Sequence, residues 1–561
     1  MALVIRETVQ QLFGIDQAVQ LSRPDLQFGD YSTNVAMQIA KLMGKNPHEI
    51  AEQLAEKMRQ TGEFSEVSIA GPGFINLRIK DSILTDELKK IIDNPQDYGK
   101  SNLYENKIVV TEYSDPNPFK VLHVGHFYTS VIGDALSNLV EYAGGTVHRV
   151  NFGGDVGLHV GKTLWAILKK LDGENPDKLS DISENERSDW MANCYVEGTR
   201  AYVDDETAKF EIIELNKKVY QFHIDNDHDS PLAQIYWTCR QWSYDYFDAF
   251  YARIGTKFEK YYPESETSQI GLGIVLEQRD KGVYKDSDGA IVFVGEPYGL
   301  HTRVFVNTAG LPTYEAKDVG LSIKKWDDYH FDESIIITGN DIIEYMKVVL
   351  KSIEQFKPKL AEHTRHITHG NIKLAGNEKM SSRKGNFLRA TDVLDITAEA
   401  NKKAQGNHND EPVLGAIKYA FLKFRIGADS VFEPTESVNL HGNSGPYLQY
   451  ALVRARSIIR RQSLENTEFV VLTDGYSQQE RALLFKFTEY PHVITQATIE
   501  FMPHHLCTYL YELAQIFNRF YEKNRIVGDN REQIRIQLVK AYITILGNGL
   551  TILGIPTPDK M

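Results

Sequence analysis

The segment NKIVVTEYSDPNPFKVLHVGH, residues 106–126, decides the fold that we predict for this chain. Its apolar, β-branched run from Ile108 to Thr111 predicts a buried parallel strand. A proline-containing turn follows, and the helical run FYTSVIGDALSNLVEYAG begins directly after His126. Further on, GTVHRVNFGGDVG predicts a second strand that ends in glycines. Together these segments predict a β-α-β unit of an open α/β sheet, which binds ligands at the carboxyl ends of its strands.

The composition of the chain is typical of a globular protein with several domains. Its 561 residues suggest about three or four domains, and 42% of them are hydrophobic and 25% charged. Neither a signal segment nor an apolar run of about 18 residues is evident, so we expect a cytoplasmic protein without membrane contact. The cysteines, Cys194, Cys239 and Cys507, match no zinc spacing. The net charge of −14 disfavours binding of nucleic acid, but a protein with acidic surfaces elsewhere can still have one basic face that binds it.

The order of helical and strand patterns predicts three domains. Residues 1–100 combine amphipathic helix with the strand pair of EVSIAGPGFINLRIK, which indicates a compact α+β domain. Residues 101–390 contain the parallel-sheet segments, interrupted at about 165–290 by a helical, aromatic-rich insertion. Residues 391–561 have helical periodicity almost throughout and predict a helical bundle. The predicted fold class is therefore α/β, with a Rossmann-like sheet split by an insertion between an α+β domain and an all-helical domain.

His123 and His126 admit three interpretations. They are polar residues at a helix start, zinc ligands on one helix face, or donors to a phosphate. Zinc is disfavoured because no third ligand of a suitable type stands nearby. A helix N-terminus after a strand offers free N–H groups and a positive dipole end, so histidine N–H groups there could bind ATP phosphates. Gly125 would leave room for an adenine ring beside the backbone.

A second stretch, GNEKMSSRKGNFLRA, carries clustered cations far along the chain. Its central residues are Lys379, Met380, Ser381, Ser382, Arg383 and Lys384, three of which carry a positive charge. Taken alone, this stretch is either a solvated basic turn or a loop that binds a polyphosphate. The combination of HVGH after a strand with KMSSRKG before a helical bundle is more specific, and it resembles the class I aminoacyl-tRNA synthetases.

Other segments narrow the resemblance to the arginyl-tRNA synthetases. The run TEYSDPNPFKVLHVGHFYTSVIGDAL is similar to the first-strand segment of that family. Similarity extends to FGDYSTNVAMQIAK, AGPGFINLRI, VNFGGDVG, TYEAKDVGLSIKKWDDYHFD, NSGPYLQYALVRARSI and LGIPTPDKM, so it covers almost the whole chain. The resemblance implies a monomeric enzyme that ligates L-arginine to tRNA(Arg) through an arginyl-adenylate. It also implies ATP and Mg²⁺ as its only cofactors, without a structural metal.

The resemblance assigns substrate contacts residue by residue. The positions that match arginine-binding residues are Glu112, Asn117, His123, Tyr314 and Asp318. The positions that match ATP-binding residues are His123, Gly125, His126, Asp341, Lys379, Met380, Ser381 and Ser382. Carboxylates suit arginine because its planar guanidinium forms bidentate hydrogen bonds with them. From the residues alone, Tyr314 and Asp318 could equally be cap or packing residues near a helix start.

The resemblance implies catalytic roles for Lys120, His123, His126, Lys379 and Lys384. They would position ATP and neutralise charge at its α-phosphorus, without a covalent intermediate. The chain departs from the class at Ser382, where the usual loop has a second lysine. Because the family has a lysine at the position of Lys120, we hypothesise that Lys120 supplies this charge while Lys379 and Lys384 assist. A second departure is Val156, where the family commonly has tryptophan.

The same resemblance implies that the helical bundle and the N-terminal domain bind tRNA. The candidate contacts are Phe28, Asn34, Tyr447, Tyr450, Arg454, Tyr509 and Asn518. Bases stack on aromatic rings and phosphates pair with arginines, which favours these residue types. Aromatic residues at helical spacing are, however, more often part of a core than of a binding surface.

Three alternatives remain open at this point. The chain could be a class I synthetase for another amino acid, which exchange assays with different amino acids would separate. It could be a non-catalytic tRNA-binding relative, although such a protein has no use for groups that bind ATP phosphates. It could be a nucleotidylyltransferase of similar sheet topology, which leaves the bundle and the N-terminal domain without a role.

Overall fold

The computed structural model describes residues 1–24, 28–375, 388–406, 409–460, 469–472 and 474–561. The chain forms two compact units. One consists of residues 1–99, 451–492 and 509–548, and the other consists of residues 100–450, 493–508 and 549–561. Residues 376–387, which we call the basic stretch and which include Lys379, Met380, Ser381, Ser382 and Lys384, lie outside the described residues.

The strands and helices have the following bounds. The strands are β1 (Tyr31–Thr33), β2 (Phe64–Ala70), β3 (Phe74–Ile79), β4 (Ile108–Glu112), β5 (Thr146–Gly153), β6 (Lys260–Pro263), β7 (Lys285–Ser287), β8 (Ala290–Phe293), β9 (Arg303–Val306), β10 (Glu333–Gly339), β11 (Thr364–His369), β12 (Ile372–Leu374) and β13 (Ser430–Phe432). The helices are α1 (Ala2–Phe13), α2 (Val35–Met43), α3 (Pro47–Gln60), α4 (Asp81–Asp93), α5 (Val124–Tyr142), α6 (Leu158–Lys170), α7 (Arg187–Asp204), α8 (Glu206–Asp225), α9 (Pro231–Ile254), α10 (Glu264–Asp280), α11 (Tyr314–Tyr329), α12 (Ile343–Glu354), α13 (Pro358–Glu362), α14 (Ala390–Gln405), α15 (Asp410–Leu422), α16 (Pro434–Ser437), α17 (Gly445–Arg460), α18 (Gln478–Phe487), α19 (Tyr490–Glu500), α20 (His504–Lys523) and α21 (Glu532–Ile552).

A parallel sheet forms the centre of the larger unit. Its five strands have the order β11-β10-β4-β5-β6, and every neighbouring pair is parallel. The apolar runs that predicted strands are buried here, because a parallel sheet is covered on both faces. The chain leaves β4 toward β5 and later returns on the other side with β10. The carboxyl ends of β4 and β10 therefore form the type of crevice in which open α/β sheets bind ligands.

Helices α6 to α9 stand between β5 and β6 and form most of the inserted segment. They share a core that includes Trp242 and the free cysteines Cys194 and Cys239. Strand β6 lies within residues 165–290 but belongs to the parallel sheet, to which it pairs through β5. A second small antiparallel sheet, β7-β8-β9, follows α10.

The smaller unit combines an antiparallel sheet with helices. The sheet has the order β1-β3-β2, and its core is shared with α1, α2 and α3. Arg481 of α18 donates to Asp30 at 2.5 Å and to the carbonyl oxygen of Ile79 at 2.8 Å, so it joins the helical part of this unit to the sheet. Among the described residues, none of the helices has the length and apolarity needed to cross a membrane.

Candidate active site

The turn between β4 and α5 has an unusual backbone. Ser114, Asp115 and Phe119 have φ angles of +75°, +51° and +67°, in the left-handed region that residues with a side chain rarely adopt. The Ser114 hydroxyl is 2.7 Å from that of Tyr251, and the Phe119 N–H donates to Ser243 Oγ at 3.0 Å. Strained backbone of this kind persists where surrounding contacts hold it, and it is concentrated at functional sites.

His123 and His126 form a reciprocal cap at the N-terminus of α5. The Nδ1 atom of His126 accepts from the His123 N–H at 3.1 Å, and Nδ1 of His123 accepts from the Gly125 N–H at 3.0 Å. The two rings stack with their centroids 3.7 Å apart. Because both Nδ1 atoms accept hydrogen bonds, each neutral ring carries its proton on Nε2, which remains a donor. A Cβ atom on Gly125 would lie 2.7 Å from His123 Cε1, so glycine is required for this arrangement.

Both imidazoles are neutral near pH 7. Burial and the Lys120 ammonium lower the pKa of His123 to about 4, against an opposing effect of Asp341. Burial, His123 and Lys120 hold the pKa of His126 well below its usual range. The pair therefore offers N–H hydrogen bonds rather than charge to an anion at this helix N-terminus, and the charge that acts on both rings is that of Lys120.

Asn117 is oriented by the glycine loop that follows β5. Its Oδ1 accepts from the Gly154 N–H at 3.0 Å, and His159 Nε2 donates to the Gly154 carbonyl oxygen at 2.7 Å. The Nδ2 group of Asn117 donates to no other residue in the described part of the chain, and its two N–H groups suit an acceptor such as a carboxylate. Next to this loop, buried Asp155 accepts from Arg240 Nε at 2.9 Å, and Val156 is buried in the core of the insertion.

A buried carboxylate at the end of β4 and a partly buried one on α11 belong to this site. Glu112 forms a buried ion pair with Lys325, whose Nζ also donates to Ser334 Oγ at 3.1 Å. Asp318 accepts a hydrogen bond from the Tyr345 hydroxyl. In this structure Glu112 therefore contacts a lysine of the protein itself, Lys325, and Asp318 contacts Tyr345.

The environment raises the pKa values of two carboxyl groups near the end of β4, those of Asp318 and Asp115. Burial raises the pKa of Asp318 to about 8, with Glu112 and Glu264 adding to the effect and the Tyr345 hydroxyl opposing it. Burial and Glu112 hold the pKa of Asp115 well above its usual range. A bound cation would favour the ionised form of both groups, because opposite charges attract most strongly where water is excluded.

Tyr314 and Asp318 lie one turn apart on α11, and Tyr314 is 59% exposed. Between them in sequence, Lys317 forms a buried ion pair with Glu264 at 2.6 Å, and its Nζ lies 5.0 Å from the centroid of the Tyr314 ring. This ion pair was not predicted from the sequence. A lysine on an otherwise buried helical face was the available signal, but the sequence did not indicate its partner, which is 53 residues away.

The described residues that flank the basic stretch contact residues 120–126, which we call the histidine turn. The Val124 N–H donates to the Leu388 carbonyl oxygen at 2.9 Å, and the Ala390 N–H donates to that of Leu122 at 3.0 Å. Asp341 lies in the short helical turn after β10, and its charge acts on His123. Residues 388–390, which follow the basic stretch, therefore lie directly beside His123.

The predicted tRNA-binding residues differ in accessibility. Phe28 and Tyr450 are exposed, whereas Asn34, Tyr447 and Asn518 are partly buried. Arg454 has its guanidinium 4.5 Å from the centroid of the Tyr521 ring. Tyr509 is only 2% exposed, and its hydroxyl donates to the Lys486 carbonyl oxygen at 2.9 Å, so this residue packs in the core.

Known proteins share this arrangement of segments. A family profile described as the catalytic domain of tRNA synthetases class I (R) matches residues 87–428. The arginyl tRNA synthetase N-terminal domain matches residues 1–79, and the DALR anticodon binding domain matches residues 448–561. The catalytic-domain match alone spans more than half of the chain.

Individual relatives are similar over nearly their full length. Arginine–tRNA ligase of Porphyromonas gingivalis strain W83 is 27% identical, and the alignment covers 99% of this chain and 98% of that protein. The enzyme of Treponema denticola is also 27% identical, over 96% and 94% of the two chains.

Solved structures show the same fold. Thermus thermophilus arginyl-tRNA synthetase superposes with a TM-score of 0.78 at 22% identity, covering 100% of this chain and 99% of that one. The Plasmodium falciparum arginyl-tRNA synthetase gives a TM-score of 0.77 at 21% identity, covering 100% and 98%. From the three profile matches in their order along the chain, we conclude that this protein belongs to the class I arginyl-tRNA synthetases.

Proposed function

We propose that this protein ligates L-arginine to tRNA(Arg) through arginyl-adenylate. In the first step, a carboxylate oxygen of arginine bonds to the α-phosphorus of Mg²⁺-bound ATP, the bond to the bridging oxygen of the β-phosphate breaks, and pyrophosphate leaves. In the second step, the terminal ribose hydroxyl of the tRNA attacks the activated carbonyl and loses its proton as AMP leaves. Neither step needs a covalent bond to the protein, so the protein acts by positioning and charge neutralisation.

In this proposal the residues of the histidine turn bind ATP. The Nε2–H groups of His123 and His126 donate to phosphate oxygens, and Gly125 lies beside the adenine. Lys120 neutralises charge that develops on the α-phosphate, together with Lys379 and Lys384. Asp341, Met380, Ser381 and Ser382 complete the nucleotide site.

The arginine substrate occupies the acidic end of the sheet. Asp318 and Glu112 bind the guanidinium, Tyr314 covers it, and the amide donors of Asn117 bind the carboxylate. Residues 1–100 and 391–561 bind tRNA, with Phe28, Asn34, Tyr447, Tyr450, Arg454 and Asn518 as candidate contacts. We propose further that the protein acts as a cytoplasmic monomer.

One observation carries the proposal. The flank of the basic stretch, Leu388 to Ala390, is hydrogen-bonded to residues on both sides of His123. This attachment supports the idea that the stretch and the histidine turn act on the same triphosphate, as a class I synthetase requires.

The test is charging of total tRNA with radiolabelled arginine. The wild-type chain should charge tRNA with arginine but not with lysine, glutamate or cysteine. His126→Ala should lower the rate by about 10²–10³-fold, the usual loss when one donor to a developing charge is removed. His148→Ala, which removes a histidine bonded to Glu259 near the start of β5, should not change the rate. Charging with another amino acid, or tRNA binding without charging, would contradict the proposal.

A further inference from the structure

Lys120 has an aromatic neighbour from the inserted helices. Its Nζ lies 5.0 Å from the centroid of the Tyr195 ring, and Tyr195 is on α7, between β5 and β6 of the sheet. An ammonium group within about 6 Å of a ring face is attracted by the quadrupole of the ring. The insertion therefore contributes a contact to the residue on which adenylate formation is proposed to depend.

Among the described residues, the Lys120 ammonium has no direct counter-ion. Within the described part of the chain, no carboxylate lies within ion-pair distance of its Nζ, and the nearby Glu264 is paired with Lys317 at 2.6 Å. Burial lowers the pKa of Lys120, and Glu264 opposes this effect from a distance. A partly buried ammonium without a direct counter-ion depends on the remaining contacts for its position and its charge.

The neighbouring lysine of the site has a similar environment. Lys317 lies 5.0 Å from the centroid of the Tyr314 ring and 5.8 Å from that of Tyr220, which is on α8 of the insertion. Thus both lysines on which the Glu264 charge acts face a tyrosine ring supplied by the inserted helices. Lys317 also has its ion pair, so the aromatic contact matters most for Lys120.

We propose that Tyr195 is a positioning residue for adenylate formation, because its ring face holds the Lys120 ammonium toward the α-phosphate of ATP. This inference rests on the proposed function and adds the helical insertion to the reaction site. The ring, rather than the hydroxyl, provides the effect. Phenylalanine at position 195 should therefore preserve the effect, whereas leucine should abolish it.

The test is arginine-dependent exchange of pyrophosphate with ATP by the full-length protein in the presence of tRNA(Arg). Tyr195→Leu should lower kcat about fivefold or more, the rate equivalent of about 1 kcal/mol, with little change in the arginine KM. Tyr195→Phe should keep at least half of the wild-type rate. Tyr202→Leu is the matched control, because it removes another tyrosine ring of α7, whose centroid lies 4.5 Å from Nζ of Lys162 on α6. It should leave kcat unchanged.

A double-mutant cycle separates this role from a general structural one. In a Lys120→Met background, Tyr195→Leu should cause no further loss, because the ammonium that the ring holds is gone. When Lys120 is present, Tyr195→Leu should also move the alkaline limb of the pH profile of kcat to lower pH. The reason is that the Tyr195 ring stabilises the charged form of Lys120. Wild-type kcat in Tyr195→Leu, or an equal loss in both backgrounds, would overturn the inference. Failure of the wild-type protein to exchange pyrophosphate with arginine would instead refute the proposed function.

Discussion

Arginine binding should release a proton near neutral pH, because Asp318 is protonated in the free protein. Burial raises the pKa of Asp318 to about 8. A carboxyl group with this pKa is about 9% ionised at pH 7 and about 1% ionised at pH 6. The guanidinium of arginine binds the ionised form, and its charge in turn lowers the pKa of the carboxyl group. Arginine must therefore displace the proton before it can form its ion pair.

The size of the pH effect on arginine binding follows from the ionised fraction of Asp318. If only the carboxylate form binds, the apparent dissociation constant for arginine should fall about tenfold between pH 6 and 7 and about fivefold between pH 7 and 8. At pH 7, about 0.9 protons should be released for each arginine bound. The guanidinium of the substrate contributes to neither value, because it does not titrate in this range.

Isothermal titration calorimetry measures both quantities. Titrations at pH 6, 7 and 8 give the dissociation constants, and titrations in buffers of different ionisation enthalpy give the number of protons released. Asp318→Asn should bind arginine more weakly and should lose most of the pH dependence. Tyr345→Phe removes the hydroxyl that donates to Asp318, so it should shift the pH dependence to higher pH. A dissociation constant that is flat from pH 6 to 8, or an equal slope in Asp318→Asn, would refute the reasoning.

Further predictions concern the stability of the fold. A Cβ atom on Gly133 would overlap the Tyr113 ring, so Gly133→Ala should destabilise the protein by about 1–3 kcal/mol in thermal unfolding. Gly273 has open space around it, so Gly273→Ala should be neutral or stabilising in the same measurement. Glu480→Gln should lower the free energy of unfolding in denaturant by about 1–3 kcal/mol, because it removes the charge of a buried carboxylate that accepts from Arg531 and Arg535. The pKa of Glu480 is lowered to about 2, so its contribution is complete above its usual pKa and is lost as pH falls toward 2. Wild-type acid stability in Glu480→Gln would contradict this assignment.

Much of the fold was predictable because it depends on local pattern. The apolar run before Glu112 indicated β4, and the glycine-ended segment indicated β5; both are neighbouring parallel strands. Helix α5 was also predictable from a strand, a proline-containing turn and an amphipathic run in order, but it begins at Val124, before the predicted start after His126. The reciprocal cap between the two histidines is likewise a local feature, because its members are three residues apart.

Contacts between distant residues could not be predicted in the same way. Glu112 pairs with Lys325, which is 213 residues away in sequence, and Tyr509 packs in a core although its spacing also suited a binding surface. Likewise, no sequence pattern places Tyr195 over Lys120.

The sequence by itself determined the β-α-β unit, the histidine turn and the family of this protein, because strand and helix periodicity and motif order are properties of neighbouring residues. Only the tertiary structure decided which partner each buried charge has. That choice depends on how helices from separate segments pack against the sheet, and packing brings together residues whose separation along the chain carries no signal.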